Sequence, residues 1–422
     1  MAEAATPHPG MGFKEFVGLI AALMATNALG VDTMLPALQQ IGTALGVGNA
    51  NENQWIVTSY LLGFGVAQIF YGTLIDRYGR KPVLLWGMAG YVLGSLAVAG
   101  AGSFSLVLAA RALQGVAAAV SRVVAVSIVR DCYAGRLMAR VMSISFIVFL
   151  GVPVLAPSIG QLIMLVAPWR WVFVWLAAFG FAVLVWVALR LPETLHEEDR
   201  TPIAPGNIAR SFGLVLTNRL WLGYSLAMTF IIGALVGFIN SGQQVFLDVF
   251  RLARLFPTIF GLIAGFIAIA SIVNARLVER LGMRLLSHAA LLGFIAIAFI
   301  HALVAFFGFE TIWSFAILQS AMMFCFGLLA GNFGAIAMEP VGHVAGTAAS
   351  AQGFLTTVGG AVIGFLIGQS FNGSDVPLTL GFAASGLLTL AAVLVTEGGR
   401  LFHRSADMAQ EVVPMREANK PA

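Results

Sequence analysis

Gly72-Thr-Leu-Ile-Asp-Arg-Tyr-Gly-Arg-Lys81 lies between two long apolar stretches and is echoed at Ala275-Arg-Leu-Val-Glu-Arg-Leu-Gly-Met-Arg284. Leu74, Asp76, Arg77 and Gly79 align with Leu277, Glu279, Arg280 and Gly282 at one constant offset. An acidic-basic-glycine loop repeated between apolar segments is what a duplicated membrane transporter carries, one copy per half. Gly72 would let a neighbouring helix approach closely, and Gly79 would supply a positive-φ turn that a side chain disfavours. Asp76 is placed to meet the positive N-terminal end of a facing helix, with Arg77, Arg80 and Lys81 at headgroup level. Asp131, directly after Arg130, offers a partner for one of those cations. The set Gly72, Asp76, Arg77, Gly79, Arg80 and Asp131 therefore reads as a cytoplasmic latch. A tight turn with basic flanks would explain the cations, but not the internal echo with its acid in register.

Working outward, hydrophobic residues make up 59% of the chain and charged residues only 10%, against about 25% charged in soluble domains. A membrane span needs about 20 mostly apolar residues. Six such segments can be drawn at roughly 16–36, 55–75, 82–101, 104–127, 140–163 and 171–190, and six more at roughly 220–240, 256–275, 285–307, 311–334, 346–370 and 378–397. The expected fold is all-α and integral to the membrane: twelve transmembrane helices in two pseudo-symmetric six-helix bundles, 1–190 and 220–397. A polar, proline-bearing linker, 191–219, joins them and a tail, 398–422, follows.

All but five of the 23 basic residues fall on one face; Arg111 and Arg122 lie within span 4, and Arg170, Arg251 and Arg254 on the other side. Basic residues flanking spans mark the cytoplasmic side, so both termini are expected there. The net charge of +4 is this topological bias, and no basic block suggests a nucleic-acid partner. The N-terminus lacks the basic region and cleavage site of a secretory leader, so span 1 is expected to be retained. Cys132 and Cys325 read as free thiols, and the six histidines, His301 among them, form no ligand cluster in the sequence, so no metal is expected. No catalytic constellation is present, and an enzyme is not expected.

Ionisable groups inside spans are costly and are functional candidates for that reason. Asp32 is roughly 24 Å along span 1 from its cytoplasmic entry and Arg111 roughly 10 Å into span 4 from the opposite end, so both fall in one half of a core about 30 Å thick. They are expected to face one cavity, Arg111 as electrostatic partner of Asp32. Burial favours a neutral carboxyl and a nearby guanidinium the charged form, so a group held between the two influences can take and release a proton. Arg122 returns to nearly the face of Arg111, with Gln114, Gly115 and Ala118 between. Three plainer readings stay open: Arg111 bonding backbone carbonyls, Arg122 snorkelling to the surface, and Asp32 capping a helix break at Pro36. Pro153, Pro157 and Gly160, within Gly151-Val-Pro-Val-Leu-Ala-Pro-Ser-Ile-Gly160, mark span 5 as bent or closely packed. Asn240, with Gln243, Gln244, Gln319, Asn332 and Gln352, is a candidate for the second wall of a cavity.

Gly72-x-Leu-x-Asp-Arg-x-Gly-Arg-Lys81, Arg111-Ala-Leu-Gln-Gly115 and the Pro153/Pro157 segment together resemble three motifs of the major facilitator superfamily, the third being that of proton-coupled antiporters. Asp32-Thr-Met-Leu-Pro36, Tyr60-Leu-Leu-Gly-Phe64, Ile128-Val-Arg-Asp131, Leu191-Pro-Glu-Thr-Leu195 and Met338-Glu-Pro-Val-Gly-His-Val-Ala-Gly-Thr-Ala348 look like the Bcr/CflA group of drug exporters. Ala156 before Pro157 and Gln161 after Gly160 depart from the third motif, and span 1 has no second carboxylate. The resemblance implies two bundles rocking about a central site, and export of small hydrophobic antibacterial compounds in exchange for protons; with one candidate carboxyl in the first half, one proton per cycle is expected. Asp32 and Arg111 would couple protons, and Asp32, Tyr60, Arg111, Gln114, Arg122 and Asn240 would line the substrate cavity. The expected partners are a small-molecule substrate, protons and the lipid bilayer of a bacterial cytoplasmic membrane. The proton motive force is the expected energy source with no cofactor, and the protein is expected to function as a monomer. A proton-coupled nutrient symporter is the alternative, and a membrane sensor a more distant one.

Overall fold

The computed structural model describes residues 11–133, 135–195, 197–200 and 205–402; the tail 403–422 lies outside them. Twelve long helices run through the described residues: α1 (Phe13–Asp32), α2 (Trp55–Tyr78), α3 (Arg80–Gly100), α4 (Phe104–Cys132), α5 (Gly135–Val166) and α6 (Arg170–Arg190), then α7 (Arg219–Gln244), α8 (Phe256–Leu281), α9 (Met283–Phe306), α10 (Ile312–Met338), α11 (Ala345–Gln369) and α12 (Val376–Thr396). Eleven are long and apolar enough to cross a membrane. The twelfth, α5, spans 32 residues with both prolines inside it. Several starts are fixed by side-chain caps: Ser103 accepts from Leu106 N, Asn218 from Trp221 N, and Thr311 forms a capping box with Ser314.

The first span outruns the expected end at residue 36. After Asp32 the helix loosens, and short helical turns at Leu35–Ala37 and Leu38–Ala44 carry it on to Ala44. Pro36 explains the break, since it has no N–H to donate and disfavours helical geometry in the residue before it. The polar linker also holds more order than its composition suggests, because Pro205–Thr217 forms a helix packed against α7 and α11.

Helix neighbours repeat with an offset of six. In the first half α1 packs on α5, α2 on α4, α3 on α4 and α3 on α6; in the second, α7 packs on α11, α8 on α10, α9 on α10 and α9 on α12. This is the pseudo-symmetry of the duplicated loop at the level of packing. The halves meet along two seams, α2 with α11 and α5 with α8. The echoed glycines end corresponding helices in the same left-handed backbone, Gly79 at φ 99° and Gly282 at φ 80°, which only glycine adopts readily. The face carrying these two turns is called the basic face below.

Candidate transport site and gates

Arg111 is wholly buried on α4, and its donors are taken by backbone and amide oxygens. Its Nε donates to Ile56 O (3.2 Å), one terminal nitrogen to Gln114 Oε1 (2.6 Å) and the other to Gly30 O (3.0 Å). The guanidinium lies 4.3 Å from the Tyr60 ring centroid. Tyr60 in turn donates to Asn27 Oδ1 and Gln114 to Ser95 Oγ. One arginine thereby ties α1, α2, α3 and α4 into a single unit, because charge-assisted bonds are roughly twice as strong as neutral ones. The expected Asp32–Arg111 pair is not formed. The carbonyl-binding reading is the one the structure shows: equal depth put the two residues at one level, but Arg111 turns towards the α1–α2 backbone.

Asp32 is 4% exposed and has no ion-pair partner among the described residues. It is the last residue of α1, immediately before the break, and α5 presses on the next residue: a Cβ added at Gly160 would overlap Thr33 O. Pro157 and Ala156 are buried beside this contact, while Pro153 is half-buried. The glycine-proline run of α5 therefore seats against the loosened turn that holds the carboxyl.

Of the six residues expected to line a cavity, Asp32, Tyr60, Arg111, Gln114 and Asn240 are buried and Arg122 alone is exposed. Leu106 and Leu113 mark the outward face of α4 with 50% and 67% exposure. Arg122 lies half a turn round from Leu113 at 100° per residue, so its exposure, with that of Val126, is to space inside the protein. Asn240 and Gln319 are buried with both amide atoms unpartnered among the described residues, as are the hydroxyls of Thr33 and Ser241. An unsatisfied buried polar group costs about 1–3 kcal/mol, so α1, α7 and α10 hold bonding capacity that the resting fold does not use.

At the basic face Arg80, 4% exposed, bonds Asp76 (2.6 Å) and Asp131 (3.1 Å). Asp76 is half exposed and caps no facing helix, contrary to expectation. That task falls to Glu193, which accepts from Arg80 N (2.8 Å) and Lys81 N (3.2 Å) at the start of α3. A side chain at Gly79 would collide with this carboxylate. Arg77 is exposed, and Gly72 faces Ser350 of α11 across the seam between the halves. Glu193 stood in the Leu191–Leu195 motif and at the start of the linker without an assigned partner, and its contacts join the linker's first residues to the charged cluster of the basic face.

The second half builds the same device. Arg284 bonds Glu339 (3.3 Å) just after α10 and Glu397 (3.1 Å) just after α12; in the first half the Arg80 side chain bonds Asp131 in the last turn of α4, and its backbone N–H bonds Glu193 after α6. Glu397 also accepts from Tyr224, which contacts His288. The buried arginine has moved one place along from the aligned Met283, which hid the symmetry from a comparison of the loops. His301 is also not isolated: it lies with Glu310 and Asp375 in one cluster.

The profile of the Major Facilitator Superfamily matches residues 20–365. The chain belongs to the major facilitator superfamily. Among relatives, a bicyclomycin resistance protein homolog of Haemophilus influenzae is 28% identical over 89% of this chain and 94% of its own. The multidrug resistance protein MdtL of Escherichia coli is 34% identical over 58% of this chain and 61% of its own. In fold, the chain is similar to a D-xylose-proton symporter structure, with a TM-score of 0.69 at 14% identity over 90% of this chain and 96% of that one.

In this superfamily member the face opposite the latch is bolted between the halves by amides. Gln54 Nε2 reaches Gln244 Oε1 (2.6 Å) and Gly368 O (2.9 Å), Gln244 Nε2 reaches Asn51 Oδ1 (2.8 Å), and Asn51 Nδ2 reaches Phe371 O (2.9 Å). These bonds close the seam between the halves at that face. Each bond is worth about 1 kcal/mol net, so losing several should shift the closed-to-open ratio more than tenfold. In a background with Cys132 and Cys325 replaced by Ala, a cysteine in place of Asn240 should react over tenfold faster with maleimide from the bolted side once Asn51 and Gln54 are both Ala. Unchanged labelling would show that the amides do not hold the gate.

Proposed function

We propose that this chain is a proton-coupled antiporter that exports small hydrophobic drugs or antibiotics across a bacterial cytoplasmic membrane by alternating access. The basic face, and with it both termini, is cytoplasmic on this reading. One observation carries the proposal: a buried carboxyl, Asp32, stands without a cation at the break in α1, against the close-packed run of α5. Proton uptake there removes the cost of burying an uncompensated charge, so protonation can be linked to the packing of α1 on α5. The unpartnered Thr33, Asn240, Ser241 and Gln319 supply a few hydrogen bonds in apolar surroundings, which suits a small ligand of limited polarity. The names of the bicyclomycin-resistance and multidrug-resistance relatives support the same substrate class. The gates and the Gly160 contact are then the moving parts, and the proton motive force drives the cycle without a cofactor.

Inside-out vesicles carrying the protein, energised to acidify their lumen, test this. Addition of an amphenicol, a quinolone or a lipophilic cation should dissipate the gradient for at least one compound, and should not do so in vesicles lacking the protein. If none does, while sugars or organic acids drive proton movement in right-side-out vesicles, the chain is a nutrient symporter.

A further inference from the structure

We propose that His301, Glu310 and Asp375 form a binding site for a divalent transition cation of the zinc class in the second half, near the bolted face. The three come from separate places in the chain: the last turns of α9, the α9–α10 loop and the residue before α12. One donor atom from each lies within 4.8 Å of the other two, and His301 Nε2 is 3.4 Å from Glu310 Oε2. Tetrahedral zinc with bonds of about 2.0–2.1 Å has ligand edges of about 3.3 Å. Every pair therefore needs to close by at most about 1.5 Å to reach that geometry.

The cluster is buried and unsatisfied. The side chains of His301 and Glu310 are 0% and 5% exposed and Asp375 is 4% exposed. Both ring nitrogens of His301, Glu310 Oε2 and Asp375 Oδ2 have no hydrogen-bond partner among the described residues. Buried polar atoms of this number are rarely left unpaired, and here four converge. The His301–Glu310 contact does not resolve them, since it lacks hydrogen-bond alignment and leaves the second carboxylate without a counter-charge. Two acids thus share one buried site with a single imidazole between them, an arrangement that disfavours both charges in the absence of a cation. A divalent ion would neutralise both carboxylates and accept the imidazole nitrogen, a donor set suited to zinc or manganese. Glu310 is already oriented by Ser314, which donates to its other oxygen at 2.8 Å, and Phe315 walls the imidazole at 5.3 Å between ring centroids. Three protein ligands leave a fourth position open.

Placement gives the ion a task. Asp375 ends the loop that begins at Ser370, and Asn51 donates to Gln369 O and Phe371 O at the start of that loop. A cation at Asp375 would brace the post against which the first half bolts.

The test is a metal count on the purified full-length protein, carrying no polyhistidine tag, chelator-stripped and dialysed against micromolar zinc sulfate. One zinc per chain is expected for wild type, with at least a tenfold loss in Glu310→Gln and in His301→Gln, and zinc should raise the melting temperature of wild type only. No zinc on wild type, or undiminished zinc on both variants, overturns the site. Where a variant fails to fold, X-ray absorption on zinc-loaded wild type decides: one imidazole with oxygen ligands supports the assignment, and sulfur ligation from Cys132 or Cys325 overturns it.

Discussion

Asp32→Asn is expected to lower drug-driven dissipation of the pH gradient to the level of vesicles lacking the protein, while the protein stays folded. Asparagine keeps the size and most of the hydrogen-bonding capacity of the side chain but cannot exchange a proton at neutral pH. Because Asp32 is buried and unpaired, the change removes an uncompensated charge and should leave stability equal or higher by about 1–3 kcal/mol. The sign of that stability change separates coupling from architecture. A carboxylate that held the fold by capping the break would be missed on replacement, and the melting temperature would fall. Energy-independent exchange of drug across the vesicle membrane should survive in the variant, since it needs no net proton movement. Gradient dissipation at the wild-type rate would remove Asp32 from the coupling step and turn attention to Glu339 or Glu397.

The membrane fold was legible because its cause is local. An apolar run of about 20 residues must be helical in lipid to satisfy its own backbone, and the twelve segments drawn from hydropathy match the helices apart from a few residues at their ends. The duplicated glycine turn was equally readable, since positive φ at Gly79 and Gly282 is a property of residue type. What stayed hidden depends on azimuth and on long-range partners. Counting residues along α1 and α4 gave the depths of Asp32 and Arg111, but not that Arg111 faces the carbonyls of Gly30 and Ile56. Glu193 and Glu397 lie more than a hundred residues from the arginines or amides they bind, so neither contact could be read from the local sequence. The histidine-carboxylate cluster shares no spacing motif because its members sit on three separate segments. Gly160 was visible as part of a motif, yet its neighbour, the Thr33 carbonyl, was not.

That contact yields the second large effect. Gly160→Val should greatly reduce folded protein and abolish transport, whereas Gly151→Ala, in the same run of α5, should be tolerated. At Gly160 even a single added carbon would overlap the Thr33 carbonyl oxygen, with Pro36 3.5 Å away, while at Gly151 it would meet no atom of another element within 4 Å among the described residues. Overpacking costs about 1–3 kcal/mol where side chains can yield. Here the obstacle is backbone at a helix break, so α1 and α5 must separate and the cost should reach or exceed the upper end of that range. Ala at Gly151 should instead gain about 0.5–1 kcal/mol of helix stability. The comparison is made by thermal unfolding in detergent together with drug-driven proton flux. If Gly160→Val folds and transports normally, α1 and α5 are not in close contact at the break, and linkage between Asp32 protonation and α5 packing loses its structural basis. If the milder Gly160→Ala folds but uncouples proton flux from drug, the close approach is itself part of the coupling device, because the carboxyl and the glycine contact occupy adjacent residues of one loosened turn.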